Sequence, residues 1–125
     1  MFDTTSQLLS IRPAVETQPA VNTAEKFQND TLRPVLKLLN DNLVRVFRHY
    51  VLQRKSNFFE LNLTDQKLYI TDVLKKDQKF NSLVKGMVIG HFTEYEWNEY
   101  VGQEQEINRR ISNLIEQRIV SNLSS

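Results

Sequence analysis

The sequence predicts an all-α fold: about five helices packed as one compact, orthogonal or bundle-like domain, its long first core helix kinked near Pro34. Three observations predict it. Apolar residues between Asn22 and Arg54 recur at helical rather than strand spacing. Three glycines and three prolines provide too few turns for the many short strands of a sandwich or barrel. A hydrophobic content of 40% over 125 residues supports one core.

Residues 1–21 read as an N-terminal arm or linker, and 22–125 as a single helical domain. Within the arm, Ser6 to Arg12 makes one weak amphipathic turn through Leu8, Leu9 and Ile11, ended by Pro13, and Ala14 to Val21 is extended. The arm either docks loosely on its own domain or straps onto a partner subunit.

Asn22 then caps the organising helix, with Glu25 placed to reach back to the Asn22 N–H. Leu32, Val35, Leu36, Leu39, Leu43, Val46, Phe47, Tyr50 and Val51 gather on one third of its circumference, opposite Lys37, Asp41, Arg45 and Arg48. Pro34 removes a hydrogen bond and crowds the carbonyl of Asp30, so a kink or restart is expected there. Leu32 to Arg54 spans about 34 Å, within the roughly 36 Å width of a compact globule of this length.

Phe58, Phe59 and Leu61 are expected to tuck beneath this helix. Thr64 caps a second helix ending near Lys76, with Leu68, Val73 and Leu74 inward. Phe80 to Phe92 is apolar nearly all round, which marks a central helix, and Gly86 and Gly90 offer a flat spot for a neighbour. Thr93 and Glu96 form a capping box for a fourth helix, about Glu94 to Val101. After Gly102 a last helix carries Ile107, Ile111, Leu114, Ile115 and Ile119 to an end near Ser121.

The chain has no cysteine, so disulfides and thiolate chemistry are excluded. No signal-like start and no apolar run of about 20 residues occurs, so a cytoplasmic protein without membrane contact is expected. Residues 32–92 carry 11 Lys+Arg against 5 Asp+Glu, while residues 93–106 carry five glutamates and no base, which makes a bipolar surface. Lys75, Lys76, Lys79 and Lys85 with Arg54 and Lys55 could face phosphates. Asp72 and Asp77 interrupt them and no aromatics interleave, so a solvated face is expected and nucleic acid is not the expected partner.

Two groups are candidate ligand-binding residues. His91 lies on the apolar stripe of the third helix and Glu94 follows three residues later; one reversed half-site lacks the second half a di-metal bundle needs, so a satisfied core histidine is expected and no metal or cofactor. Gln28, Asn29 and Arg33 precede Pro34, where the amides either satisfy the carbonyls the proline frees or line a polar pocket. Arg118 falls within the last apolar stripe, its head seeking a carboxylate such as Asp41. His49, on the polar face with Arg45 and Arg48, has nothing to recommend it as a base. Tyr95, Trp97 and Tyr100 beside the glutamates suit a protein interface, or core.

The runs Glu25-Lys26-Phe27-Gln28-Asn29-Asp30-Thr31-Leu32-Arg33-Pro34, Asn40-Asp41 and Lys85-Gly86-Met87-Val88-Ile89-Gly90-His91-Phe92-Thr93, with the Ile11-Arg12-Pro13 turn, make the chain similar to a family of small uncharacterised all-helical bacterial proteins. Some members carry the label glyoxalase. The resemblance brings no site residues with it, and neither the His/Glu ligand sets of glyoxalase I nor the His-x-His-x-Asp-His motif of glyoxalase II occurs here. The expected function is a non-catalytic helical interaction or regulatory module, a homodimer or the partner of another protein. The alternative is a small-molecule-binding protein or minor enzyme with a pocket near His91.

Overall fold

The computed structural model of the chain describes residues 2–123; residue 1 of the predicted arm and residues 124–125 of the predicted domain lie outside the described residues. Among the described residues all regular structure is helical: α1 (Thr4–Ser10), α2 (Thr23–Phe27), a π-helical turn (Gln28–Leu32), α3 (Arg33–Gln53), a 3₁₀ turn (Phe58–Glu60), α4 (Leu63–Lys76), α5 (Gln78–Ile89), α6 (Glu94–Gly102) and α7 (Glu104–Leu123). The helix count exceeds the predicted five because the arm contributes α1 and the organising helix is divided. Among the described residues no helix is long and apolar enough to cross a membrane.

That division is how the chain accommodates Pro34. Proline has no N–H to donate and its ring presses on the carbonyl four residues back. The helix widens over Gln28–Leu32, so that the N–H of Arg33 reaches the Gln28 carbonyl five residues earlier. Pro34 then sits in the first turn of α3, where a missing donor costs little. In place of the predicted kink near Pro34 the helix carries a π-turn just upstream of it, a form that recurs at functional sites. Upstream, the Asn22 side chain accepts from the Glu25 N–H at 2.8 Å, while the Glu25 carboxylate receives the Val21 N–H rather than that of Asn22.

α3 buries Val35, Leu36, Leu39, Leu43, Phe47 and Val51, with Val46 and Tyr50 half-covered, as the periodicity requires. Phe47 is its centre, meeting the edges of Phe58, Tyr69 and Phe80 at 5.2, 6.4 and 6.3 Å between ring centroids. The helix ends in a Schellman motif: Lys55 N–H bonds the Leu52 carbonyl and Ser56 N–H that of Val51, with Lys55 left-handed at φ 50°.

The helix lying along α3 is α7, not the apolar segment Phe80–Phe92 expected to be central. α7 also touches α4, α5, α6 and the π-turn. In α5 the outer face carries Leu83, 53% exposed, and both glycines, and a Cβ at Gly86 would meet nothing within 4 Å. The predicted flat spot for a neighbouring helix is therefore open to solvent. α4 is capped by Asn62 rather than Thr64, and it buries Ile70 with Val73 and Leu74 while Leu68 faces out. Phe58 is fully buried and Phe59 half-exposed. α6 starts with the complete Thr93–Glu96 capping box. Its Tyr100 is buried against Phe92, which in turn meets Phe27.

Candidate functional site

The predicted ligand residues fall into two groups. Gln28, Asn29 and Arg33 surround a groove on the α2, π-turn and α3 side, whereas His91 and Glu94 lie at the junction of α5 and α6.

The helical period first brings Arg33, Leu36 and Asn40 onto one side of α3, and Leu114, Arg118 and Asn122 onto the facing side of α7. Together with Gln117 and Ser121 they line a cleft of about 380 Å³. Leu36 and Leu114 are its apolar floor. Asn40 and Asn122 join across it, the Asn122 amide donating to Asn40 Oδ1 at 3.1 Å. Arg118 reaches the same Asn40 oxygen at 3.5 Å. The carboxylate expected for Arg118, Asp41, instead accepts from the Asn40 amide. Among the described residues neither Arg33 nor Arg118 has a carboxylate within 4.0 Å. Burial, and then the like charge of Arg33, make Arg118 release its proton more readily than an ordinary arginine.

Arg33 also lines an adjoining cleft of about 720 Å³ with Glu16, Thr17, Gln18, Glu25, Gln28 and Asn29. The half-buried amides do not serve carbonyls freed by Pro34, as one reading of the sequence had it. Gln28 Oε1 accepts from Arg110 at 3.0 Å and the Asn29 amide donates to the Gln18 carbonyl at 2.9 Å. Their work is to tie the arm and α7 to the widened turn. Residues 14–21 therefore run as a strap along the helices, also held by Lys37 on the Ala14 carbonyl at 3.0 Å.

The strap is anchored by a pair that the sequence did not reveal. Arg12 forks onto both oxygens of Glu96 at 2.6 Å and also donates to the His91 carbonyl at 2.7 Å. Its side chain is 7% exposed and that of Glu96 10%. Thr31, in the π-turn, donates to Glu96 Oε2 at 2.9 Å, and the Thr93 N–H to Oε1 at 2.9 Å. Burial pushes the Glu96 carboxyl up, but the bonds from Arg12, Thr93 and Thr31 outweigh it and hold the group below the ordinary carboxylate range. Glu96 was legible as a capping residue; a partner 84 residues away was not.

His91 is half-buried, its Nδ1 donating to the Met87 carbonyl at 2.7 Å. It closes one of the open carbonyls at the end of α5. Glu94 is exposed, and no hydrogen bond joins it to the ring. Among the described residues no three His, Asp or Glu side chains converge as a metal site. Of the interface candidates, Tyr95 is 73% and Trp97 47% exposed, on opposite flanks of α6, while Tyr100 is buried with its hydroxyl on Asn108 at 2.7 Å. Tyr100 is thus core and unavailable to a partner.

Guanidinium, amide and hydroxyl groups above a leucine floor are the kind of lining that can hold and orient a polar ligand. Arg118 was legible as a half-buried charge in an apolar stripe; Asn40 and Asn122 carried no signal. No family model, curated protein or solved structure matches the chain.

Proposed function

We propose that the chain is a non-catalytic helical module that binds a small polar ligand in the cleft between the start of α3 and the end of α7. The observation that carries this is the pair Arg33 and Arg118, facing one cleft with no carboxylate beside either among the described residues. A chain selected only for stability has little reason to place two cations in each other's field over a leucine floor, because each raises the cost of the other. The cleft's size falls within the usual range for small-molecule sites, and its few convergent polar groups above apolar walls suit such a site.

The test is to map a panel of small amides, polyols, carboxylates and phosphates onto the protein by amide NMR. Shifts gathered on residues 33–40 and 114–122 support the reading; shifts gathered on residues 87–94 instead return the site to His91 and overturn it.

A second reading is favoured by one feature: Trp97 and Val101, four residues apart on one side of α6, are each about half-exposed. Such groups anchor protein contacts, and a homodimer through α6 is the form this takes. Trp97 is the single tryptophan, so a blue shift of its emission with rising concentration, alongside light scattering at twice the monomer mass, supports it. Unchanged emission from a monomer removes it.

A further inference from the structure

Resting on the cleft reading just given, we infer that the ligand is a phosphorylated polyol or sugar, its phosphoryl group clamped by Arg33 and Arg118 and its hydroxylated body lying in the adjoining cleft beside Gln28 and Asn29. Four features of the two clefts lead there.

The first is charge: among the described residues neither guanidinium has a carboxylate within 4.0 Å, and two such cations attract a phosphate monoester, which carries close to two negative charges near neutral pH, more strongly than a single carboxylate. The second is donor geometry, since a guanidinium offers parallel N–H groups matched to two oxygens of a tetrahedral oxyanion, and the leucine floor lowers the local dielectric in which those bonds act. The third is that Arg33 lines both clefts. A molecule held at its phosphoryl end by that residue has its remainder directed past Gln28 and Asn29.

The fourth is the chemistry of that remainder. Around it stand a hydroxyl, amides and the carboxylates Glu16 and Glu25. Carboxylates accept hydrogen bonds from hydroxyl groups and repel a second phosphoryl group, so the body is neutral and hydroxylated. Neither cleft is lined by an aromatic side chain on which a base could stack, so the walls suit a sugar better than a nucleotide.

The experiment is isothermal titration of the full chain with inorganic phosphate, glucose 6-phosphate, fructose 1,6-bisphosphate and glucose, repeated in Arg33→Gln, Arg118→Gln and, as control, Arg45→Gln, whose side chain bonds Asn42 on the outer face of α3. Glucose 6-phosphate is expected to bind more tightly than phosphate or the bisphosphate. Arg33→Gln and Arg118→Gln should each weaken it by about tenfold or more, the loss of a charge-assisted contact, with Arg45→Gln unchanged. Both variants should melt at or above the parent temperature, because each removes a repulsion and no ion pair. The double variant Thr17→Ala/Gln18→Ala should lower glucose 6-phosphate towards phosphate and leave phosphate itself alone, since the strap is held there by the Gln18 backbone carbonyl and not by its side chain. Equal binding of phosphate and glucose 6-phosphate overturns the placement of the body. No phosphate compound binding at millimolar concentration overturns the ligand class, and the NMR panel separates the causes: other polar molecules still landing in the cleft leave the site standing, and none landing there removes both readings.

Discussion

Replacing Arg12 by alanine tests the most concentrated polar assembly in the molecule. The substitution removes two charge-assisted bonds to Glu96 and one to the His91 carbonyl, leaving the Glu96 carboxylate with the Thr31 hydroxyl and the Thr93 N–H. Deleting one member of a buried ion pair costs about 3–5 kcal/mol when the other stays buried. Here the strap can peel away and let water reach Glu96, and the freed backbone regains entropy, so the lower end, about 3 kcal/mol, is the expected loss. For 125 residues that is a fall in melting temperature of about 11 °C. Chemical denaturation gives the free energy, and hydrogen exchange gives the mechanism: the Arg12 and Val21 amides, bonded to Leu9 and Glu25, should lose protection while those of α3 keep theirs. Glu96→Gln, which can still accept from Thr31 and Thr93, should cost less. A loss under about 1 kcal/mol, the size of an exposed pair, would refute the assignment of this pair as the anchor of the strap.

Four further outcomes follow from the same packing. Glu96 binds its proton more weakly folded than unfolded, so the pair's contribution is complete above the ordinary carboxylate value of 4.5 and drains away as pH falls below it; the slope of stability against pH below that value should flatten in Arg12→Ala. Phe47→Ala removes a ring 1% exposed that meets three other rings and should cost about 3–5 kcal/mol by urea denaturation. Gly86→Ala adds a methyl in open space on a helix and should raise stability by about 0.4–1 kcal/mol; a decrease on thermal unfolding would show that the outer face of α5 is covered in solution. Lys55→Gly relieves a left-handed conformation at the end of α3 and should stabilise by about 1 kcal/mol, measured the same way.

Legibility in the sequence tracked the range of the interaction. The stripe Leu32 to Val51, the Asn22 cap and the Thr93–Glu96 box were readable because each depends on residues within about one helical turn, where spacing alone settles who meets whom. The disturbance at Pro34 was readable for the same reason, although its form as a π-turn was set by what packs there, including Thr31 against Glu96 and Gln28 against Arg110. α5 was misread as central because an apolar composition states that a segment wants cover without stating how much it receives; Leu83 and the two glycines are on its outer side.

By itself, then, the sequence determined the helical class, the core face of α3, the starts of α2 and α6, and the presence of unusual polar groups at Gln28, Asn29, Arg33, His91 and Arg118. Only the tertiary structure decided which of them meet. Arg33 and Arg118 are 85 positions apart in the chain, and Arg12 is 84 from Glu96. A one-dimensional pattern records the energetic demand of a half-buried charge, while the partner that answers it depends on how the helices cross. For Arg12 the answer is a carboxylate on α6; for Arg33 and Arg118 it is a cleft.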